Sequence, residues 1–155
     1  MQADLEKAKN DIAEWAAGFL SQPRQELGRN SPCPFAHNAI QRGSIDFRLG
    51  TRDVRHDLMD LARTWDDASE GVVLIYDCTI EPIPFADAVE YGNEHALRER
   101  GLIALEDHPQ LPEVIADLRF NQGTYALVIV QRAEKLRHAS QILRAKGYYD
   151  RWSPE

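Results

Sequence analysis

The sequence has little cysteine and no long apolar run, and both deficits narrow what the protein can be. Its 155 residues include only Cys33 and Cys78, which are too few for a disulfide framework. The longest apolar runs, 72–76 and 126–130, are far too short to cross a bilayer and are typical of buried strands. No charged start followed by an apolar segment opens the chain. We therefore expect a cytoplasmic protein with no membrane partner.

The chain also lacks the short motifs that mark several common chemistries. A glycine-rich phosphate loop, a GxSxG elbow, an HExxH helix and a CxxC pair are all absent. The usual signals of nucleotide binding, serine hydrolysis, zinc peptidase chemistry and dithiol exchange are therefore missing. A formal net charge of −7 argues against binding to a nucleic-acid backbone. We expect no nucleic-acid partner.

Hydrophobic periodicity predicts alternating helices and strands within one domain over residues 1–155. The first element is an amphipathic N-terminal helix within residues 1–22. The later helices are expected over 34–42, 53–65, 85–100 and 134–146, and the strands over 44–49, 72–77, 102–106 and 124–131. Residues 81–84, with two prolines, are expected to form a rigid extended connection.

This order of elements predicts an α+β fold, with a single, mostly antiparallel four-stranded sheet and helices packed on it. The aromatic segment Tyr148-Tyr149-Asp150-Arg151-Trp152 lies near the end of the sequence. Such a segment more often docks on the core or on a second subunit than stays free. We expect a homodimer.

Cys33 lies between two prolines, and His37 follows four residues later. Because proline fixes φ and suits the first turn of a helix, Pro34 is expected to begin the helix over 34–42. Cys33 would then be the N-cap, where free amides and the helix dipole favour a reactive thiolate. The alternative is a small buried cysteine beside a proline-fixed helix start.

Among the five histidines, His108 differs because it follows a predicted strand and precedes a proline. This position predicts an imidazole on a rigid loop at the rim of the sheet, where binding sites tend to be built. The neighbouring carboxylate of Asp107 or Glu106 could orient one ring nitrogen and leave the other for a metal or a proton. The alternative is a turn histidine that caps strand ends. A zinc site that combines this histidine with Cys33 and His37 is a further alternative.

Four motifs follow one another between residues 30 and about 140. They are Pro32-Cys33-Pro34-Phe35-Ala36, Asp107-His108-Pro109, a Phe120-x-x-Gly123 turn and the apolar strand Tyr125 to Val130. In this order they resemble the YqcI/YcgG family and the small CPF-motif domain of unknown function that is related to it. The resemblance implies a haem-dependent oxidoreductase, a monooxygenase that hydroxylates nitrogen in a small amine or guanidine metabolite during specialised biosynthesis.

The same resemblance implies a metal-binding role for His108 or Cys33, since imidazole and thiolate both serve as axial haem ligands. We expect His108 to be the axial ligand. The other residues expected near the haem are Cys33, Phe35, His37, Phe47, Phe120 and Tyr125, with Arg29, Arg48 or Arg119 as propionate anchors. A nitrogenous substrate needs a carboxylate such as Asp46, Glu106 or Asp107, and Asp107 is the candidate catalytic residue.

Two other functions stay open on the sequence. One is a non-catalytic accessory protein that binds haem or another small ligand. The other is a structural or partner-binding module in which Cys33 is merely buried. Reactivity of the thiol separates the second from the others, because a buried structural cysteine is inert.

Overall fold

The computed structural model describes residues 4–145 and Gly147, so the aromatic segment after Gly147 lies outside the described residues. The α-helices are α1 (Leu5–Trp15), α2 (Ala36–Gln41), α3 (Val54–Thr64), α4 (Pro82–Gly92) and α5 (Ala133–Ala145). The π-helical turns Ala16–Leu20 and Asn93–Leu97 extend α1 and α4, and the short 3-10 helices are Gln25–Leu27 and Arg98–Arg100. In this part of the chain no helix has the length and apolar character that a membrane crossing requires.

The strands form one main sheet and one small hairpin. They are β1 (Ile45–Leu49), β2 (Gly71–Tyr76), β3 (Leu102–Asp107), β4 (Val114–Ile115), β5 (Leu118–Arg119) and β6 (Ala126–Arg132). The main sheet has the order β1-β2-β6-β3, in which β1 is parallel to β2 and β6 is antiparallel to β2 and β3. This confirms the predicted α+β fold with a mostly antiparallel four-stranded sheet.

Helices α3 and α4 cover one face of this sheet. The N-cap Asp53 accepts a hydrogen bond from His56 N (3.0 Å) and starts α3 where the sequence predicts it. Leu58 of α3 and Phe85 of α4 pack with Val72 and Leu74 of β2 in the larger core cluster. Gly92 allows the two helices to approach, because a Cβ there would lie 2.6 Å from Leu58 Cδ1.

Helix α1 covers part of the other face. Ala8 and Ile12 pack on Phe47, Val73 and Leu127 in a smaller core cluster. Tyr125 also packs against this cluster, and its hydroxyl donates to Asp11 Oδ2 at 2.6 Å. That hydrogen bond fastens α1 to the start of β6.

Two proline-based expectations are wrong in detail. Residues 81–84 are not an extended connection, because α4 begins at Pro82. Proline is well suited to the first helical turn, where its missing N–H needs no partner. Helix α2 begins at Ala36 with Phe35 as N-cap, so Cys33 does not cap it. Pro34 and Phe35 form a turn instead.

The sequence also gave no sign of the β4–β5 hairpin. Its turn residues, Ala116 and Asp117, have φ values of 52° and 68°. Two-residue hairpin turns of this kind favour Asn-Gly or Asp-Gly, because glycine and asparagine tolerate positive φ. An alanine at the first turn position does not indicate a two-residue hairpin turn, so the sequence of this segment is also typical of a loop.

Candidate functional site

His108 follows directly after β3, but it is fully buried and does not lie exposed at the rim of the sheet. Its Nε2 lies 2.7 Å from Ile80 O, and its Nδ1 accepts a hydrogen bond from Gln110 N at 3.0 Å. An acceptor at Nδ1 leaves the ring proton on Nε2, which donates to the carbonyl. The ring also meets Phe85 edge to face, with centroids 5.4 Å apart. The imidazole therefore joins β3 to the segment before α4.

Asp107 does not orient this imidazole, so that expectation is wrong. Its Oδ1 accepts from Asn121 Nδ2 at 2.8 Å and its Oδ2 accepts from Gln122 N at 3.0 Å. The Asn121 amide also donates to His108 O at 3.1 Å and accepts from Glu113 N at 2.8 Å. Because Asn121 is buried as well, these bonds close the loop 108–122 on itself.

Three carboxyl groups lie near this loop, and the pKa of each is raised by loss of solvent, which is partial for Glu106 and Glu113 because both residues are exposed. For Asp107 the effect of burial is opposed by the hydrogen bonds from Gln122 and Asn121. For Glu106 and Glu113 neighbouring carboxylates add to the effect of burial and raise the pKa further. Among the described residues no group of three or more His, Cys, Asp or Glu side chains is placed to hold a metal ion.

The surroundings of His108 do not fit an axial haem ligand. One ring nitrogen carries a proton and the other already accepts a hydrogen bond, so neither has a free lone pair for iron. Ligation would break the bond to Ile80 and remove the ring from its contact with Phe85. We therefore derive no step through haem at this residue.

Cys33 lies apart from the buried loop, on the segment that leads into α2. Its N–H donates to Leu20 O at 2.7 Å, and its side chain is half-buried. His37 lies in the first turn of α2 and is also half-buried, whereas Phe35 is 47% exposed. Ligation of iron by Cys33 stays a prediction.

The other residues expected at the haem lie in different parts of the fold. Phe120 meets Phe19 edge to face at 5.7 Å, and Arg119 donates to Pro109 O. Arg29 is exposed in a turn after the first 3-10 helix, with φ of 71°. Arg48 binds Asp46 on β1. The structure thus disperses these residues, although two of those from β1, Asp46 and Phe47, line a common cleft.

This cleft lies between α1, α2 and β1 and has a volume of about 370 Å³. Small-molecule sites in proteins typically enclose about 300 to 1,000 Å³, so the volume of this cleft lies near the lower end of that range. The cleft is lined by Leu5, Glu6, Lys9, Ile40, Gly43, Ile45, Asp46, Phe47 and Ser69. Its shape arises because α1 and the end of α2 lie on the same face of the sheet, beside its first strand.

The surface of the cleft is mainly polar, with a smaller apolar part. Leu5, Ile40, Ile45 and Phe47 provide the apolar surface and belong to the core cluster under α1. The ammonium group of Lys9 lies 5.8 Å from the centroid of the Phe47 ring, within reach of a cation–π interaction. Glu6 and Asp46 also line the cleft, and Asp46 pairs with Arg48.

Most of the cleft was not foreseen from the sequence. The alternation over 44–49 predicted the strand and its buried Phe47, and Asp46 was a candidate carboxylate. Glu6 and Lys9 carry no motif and looked like ordinary polar residues of an amphipathic helix. Only tertiary packing of α1 beside β1 brings them to the cleft.

Comparison with known proteins adds one partial match. The model of a family described as "Domain of unknown function (DUF6875)" matches residues 9–72, which is less than half of the chain. No curated protein and no solved structure matches the chain. The matched segment contains Cys33 and seven of the residues that line the cleft, whereas Asp107 and His108 lie outside it. The resemblance to the YqcI/YcgG family is not tested by this match and stays a prediction.

Proposed function

We propose that the protein is a binding module for a small organic cation with an apolar body, such as an alkyl or aryl amine or guanidine. The ligand occupies the cleft between α1, α2 and β1. The observation that carries this proposal is that the Phe47 ring, which already faces an ammonium group, and the carboxylate-bearing Glu6 line one cleft.

The chemistry of the cleft favours a cation over an anion. The Phe47 ring already faces an ammonium group, that of Lys9, and a ligand ammonium can take its place. Because Arg48 already pairs with Asp46, Glu6 is the carboxylate of the lining that remains to meet a ligand cation. The net charge of −7 on the chain also attracts cations. The apolar body of the ligand then rests on Ile40 and Ile45.

Titration calorimetry with two probes of similar size and opposite charge tests the proposal. We expect phenethylamine to bind at least about tenfold more tightly than 3-phenylpropionate at neutral pH. Glu6→Gln should weaken phenethylamine binding by about fivefold, the effect of one partly exposed ion pair. Lys9→Gln should strengthen it by a similar factor, because the competing ammonium is removed.

Glu90→Gln is the matched control, since Glu90 is an exposed glutamate on α4, across the sheet from the cleft. It should leave the affinity unchanged. Tighter binding of 3-phenylpropionate, loss of its binding on Lys9→Gln, or no binding of either probe would each overturn the proposal.

A further inference from the structure

The outer edge of β1 carries backbone groups that no described residue uses. Gly50 N donates to Ile75 O at 2.8 Å, and Glu70 N donates to Ser44 O at 2.9 Å, so the even-numbered residues of this stretch face β2. Successive residues of a strand direct their backbone groups to opposite sides. The N–H and C=O groups of Ile45, Phe47 and Leu49 therefore point away from the sheet, and no hydrogen bond from the described residues reaches them.

There is space beside these groups. Three consecutive residues of β1, Ile45 to Phe47, line the cleft. Neighbouring side chains of a strand point to opposite faces, so a cleft that touches all three runs along the outer edge of the strand. A further strand can approach this edge without displacing an element of the main sheet, in which β1 is an end strand. Such a strand takes the place of the ligand proposed above, so dimerisation and ligand binding at this cleft exclude each other.

The sequence of β1, Ile-Asp-Phe-Arg-Leu, is complementary to itself when a second copy runs antiparallel to it. With a twofold axis at Phe47, Ile45 lies opposite Leu49 of the second copy, and Asp46 lies opposite Arg48. Because the outward-facing residues are the odd-numbered ones, the Asp46 and Arg48 positions form non-hydrogen-bonded pairs. In such pairs the Cα atoms are only about 4.5 Å apart.

We propose that two copies of this chain pair antiparallel through β1 and form one continuous eight-stranded sheet. Within one copy Arg48 Nε already binds Asp46 Oδ2 at 2.7 Å, and both side chains are nearly half exposed. In the dimer each carboxylate also meets the guanidinium of the other copy, so opposite charges face each other on both sides of the axis. Addition of a strand to an open edge is a common mode of protein association.

The partner is a second copy because the charge order of β1 fits itself. A like-charged or uncharged strand would leave Asp46 or Arg48 opposite the wrong group. The twofold arrangement also buries the same patch on both chains and closes, which suits a discrete dimer. The other end strand, β3, cannot serve in the same way, because the Asn93 side chain occupies its outward backbone groups at Ala104.

Sedimentation velocity over a range of concentrations tests the dimer by charge exchange. We expect the natural chain to dimerise, and Asp46→Arg and Arg48→Asp each to weaken dimerisation by at least tenfold, because each variant places like charges opposite one another. A mixture of the two single variants should form a heterodimer, since one chain then carries two cations and the other two anions. The double variant Asp46→Arg/Arg48→Asp should dimerise like the natural chain.

The mixture separates pairing between chains from the Asp46–Arg48 contact within one chain, which is lost in both single variants. Asp60→Arg is the matched control, because Asp60 and Arg63 form a comparable exposed pair on α3. It should not change the dimerisation constant. A monomeric natural chain, dimers of unchanged strength in both single variants, or no association in the mixture would each overturn the proposal.

Discussion

The two end strands of the sheet differ in how their outward backbone groups are satisfied. At the β3 edge, Asn93 donates to Ala104 O at 3.0 Å and accepts from Ala104 N at 2.8 Å, so one side-chain amide imitates a neighbouring strand. At the β1 edge no hydrogen bond from the described residues reaches the corresponding groups of Ile45, Phe47 and Leu49, and the first two of these residues line a cleft. An exposed edge invites pairing, and proteins cover the edges that they do not use. The difference indicates that the β1 side is the one available for association.

The polar side chains at the two edges of the sheet follow the same division. On the β3 side, three polar residues are buried: Asp107, His108 and Asn121. Asn121 donates to Asp107, and His108 donates to Ile80 O in the segment before α4. On the β1 side, Asp46 and Arg48 are half exposed and bind only each other. Buried polar groups that are fully hydrogen-bonded contribute to a unique, rigid structure. We therefore assign stability to the β3 side and binding to the β1 side.

The largest effect should come from removing the imidazole on the β3 side. His108→Ala leaves Ile80 O and Gln110 N without their partner and opens a cavity beside Phe85. We expect the free energy of unfolding to fall by about 3 kcal/mol in urea titrations followed by circular dichroism. His108→Asn should lose less, because an asparagine oxygen can accept from the amide two residues later.

His56→Ala is the control for this substitution, because His56 is exposed on α3. It should change stability by less than about 0.5 kcal/mol. If both alanine variants lost the same free energy of unfolding, His108 would not stabilise the β3 side through its hydrogen bonds.

A smaller effect should come from opening the β3 edge. Asn93→Ala leaves both backbone groups of buried Ala104 without a partner, and we expect a loss of about 2 kcal/mol in the same urea titrations. Glu94→Ala, at the next and exposed position, should have almost no effect. If the two variants unfold at the same urea concentration, the amide does not protect the edge and the contrast between the edges fails.

Regular periodicity explains what could be predicted from the sequence. The stripe in α3 and its N-cap Asp53, the alternation in β1 and the apolar run of β2 all follow from local patterns, and each element was found near its true bounds. The start of α4 was wrong because proline has two meanings. It breaks an interior turn but begins a helix well, and the sequence around Pro82 does not distinguish them.

The sites could be predicted less well, because they depend on contacts between distant residues. His108 looked accessible beside a proline, but Ile80 and Phe85, far away in sequence, bury it. The roles of Asn93 and Asn121 rest on a few tertiary hydrogen bonds made by one side chain each, which leave no periodic signal. The cleft likewise joins the first turns of α1 to β1.

The smallest effect concerns the Glu113 carboxylate, whose negative charge lowers the stability of the β3 side at neutral pH. Burial and the nearby charge of Asp107 raise the pKa of Glu113 above its ordinary value of 4.5. A carboxyl group whose pKa is higher in the folded protein than in the unfolded chain stabilises the folded protein below the unfolded pKa. This stability is lost as pH rises through the folded pKa.

The variant Glu113→Gln carries no titrating carboxyl group at this position, so it does not acquire the negative charge as pH rises. We therefore expect this variant to be slightly more stable than the natural chain at pH 7, by no more than about 0.5 kcal/mol because solvent screens the exposed side chain, and to match it near pH 3.5, in urea titrations. Glu99→Gln, at an exposed position outside this loop, should show no such dependence on pH. If the natural chain instead gains stability over Glu113→Gln as pH rises, a cation must stabilise the carboxylate, and its negative charge would then not lower the stability of the β3 side.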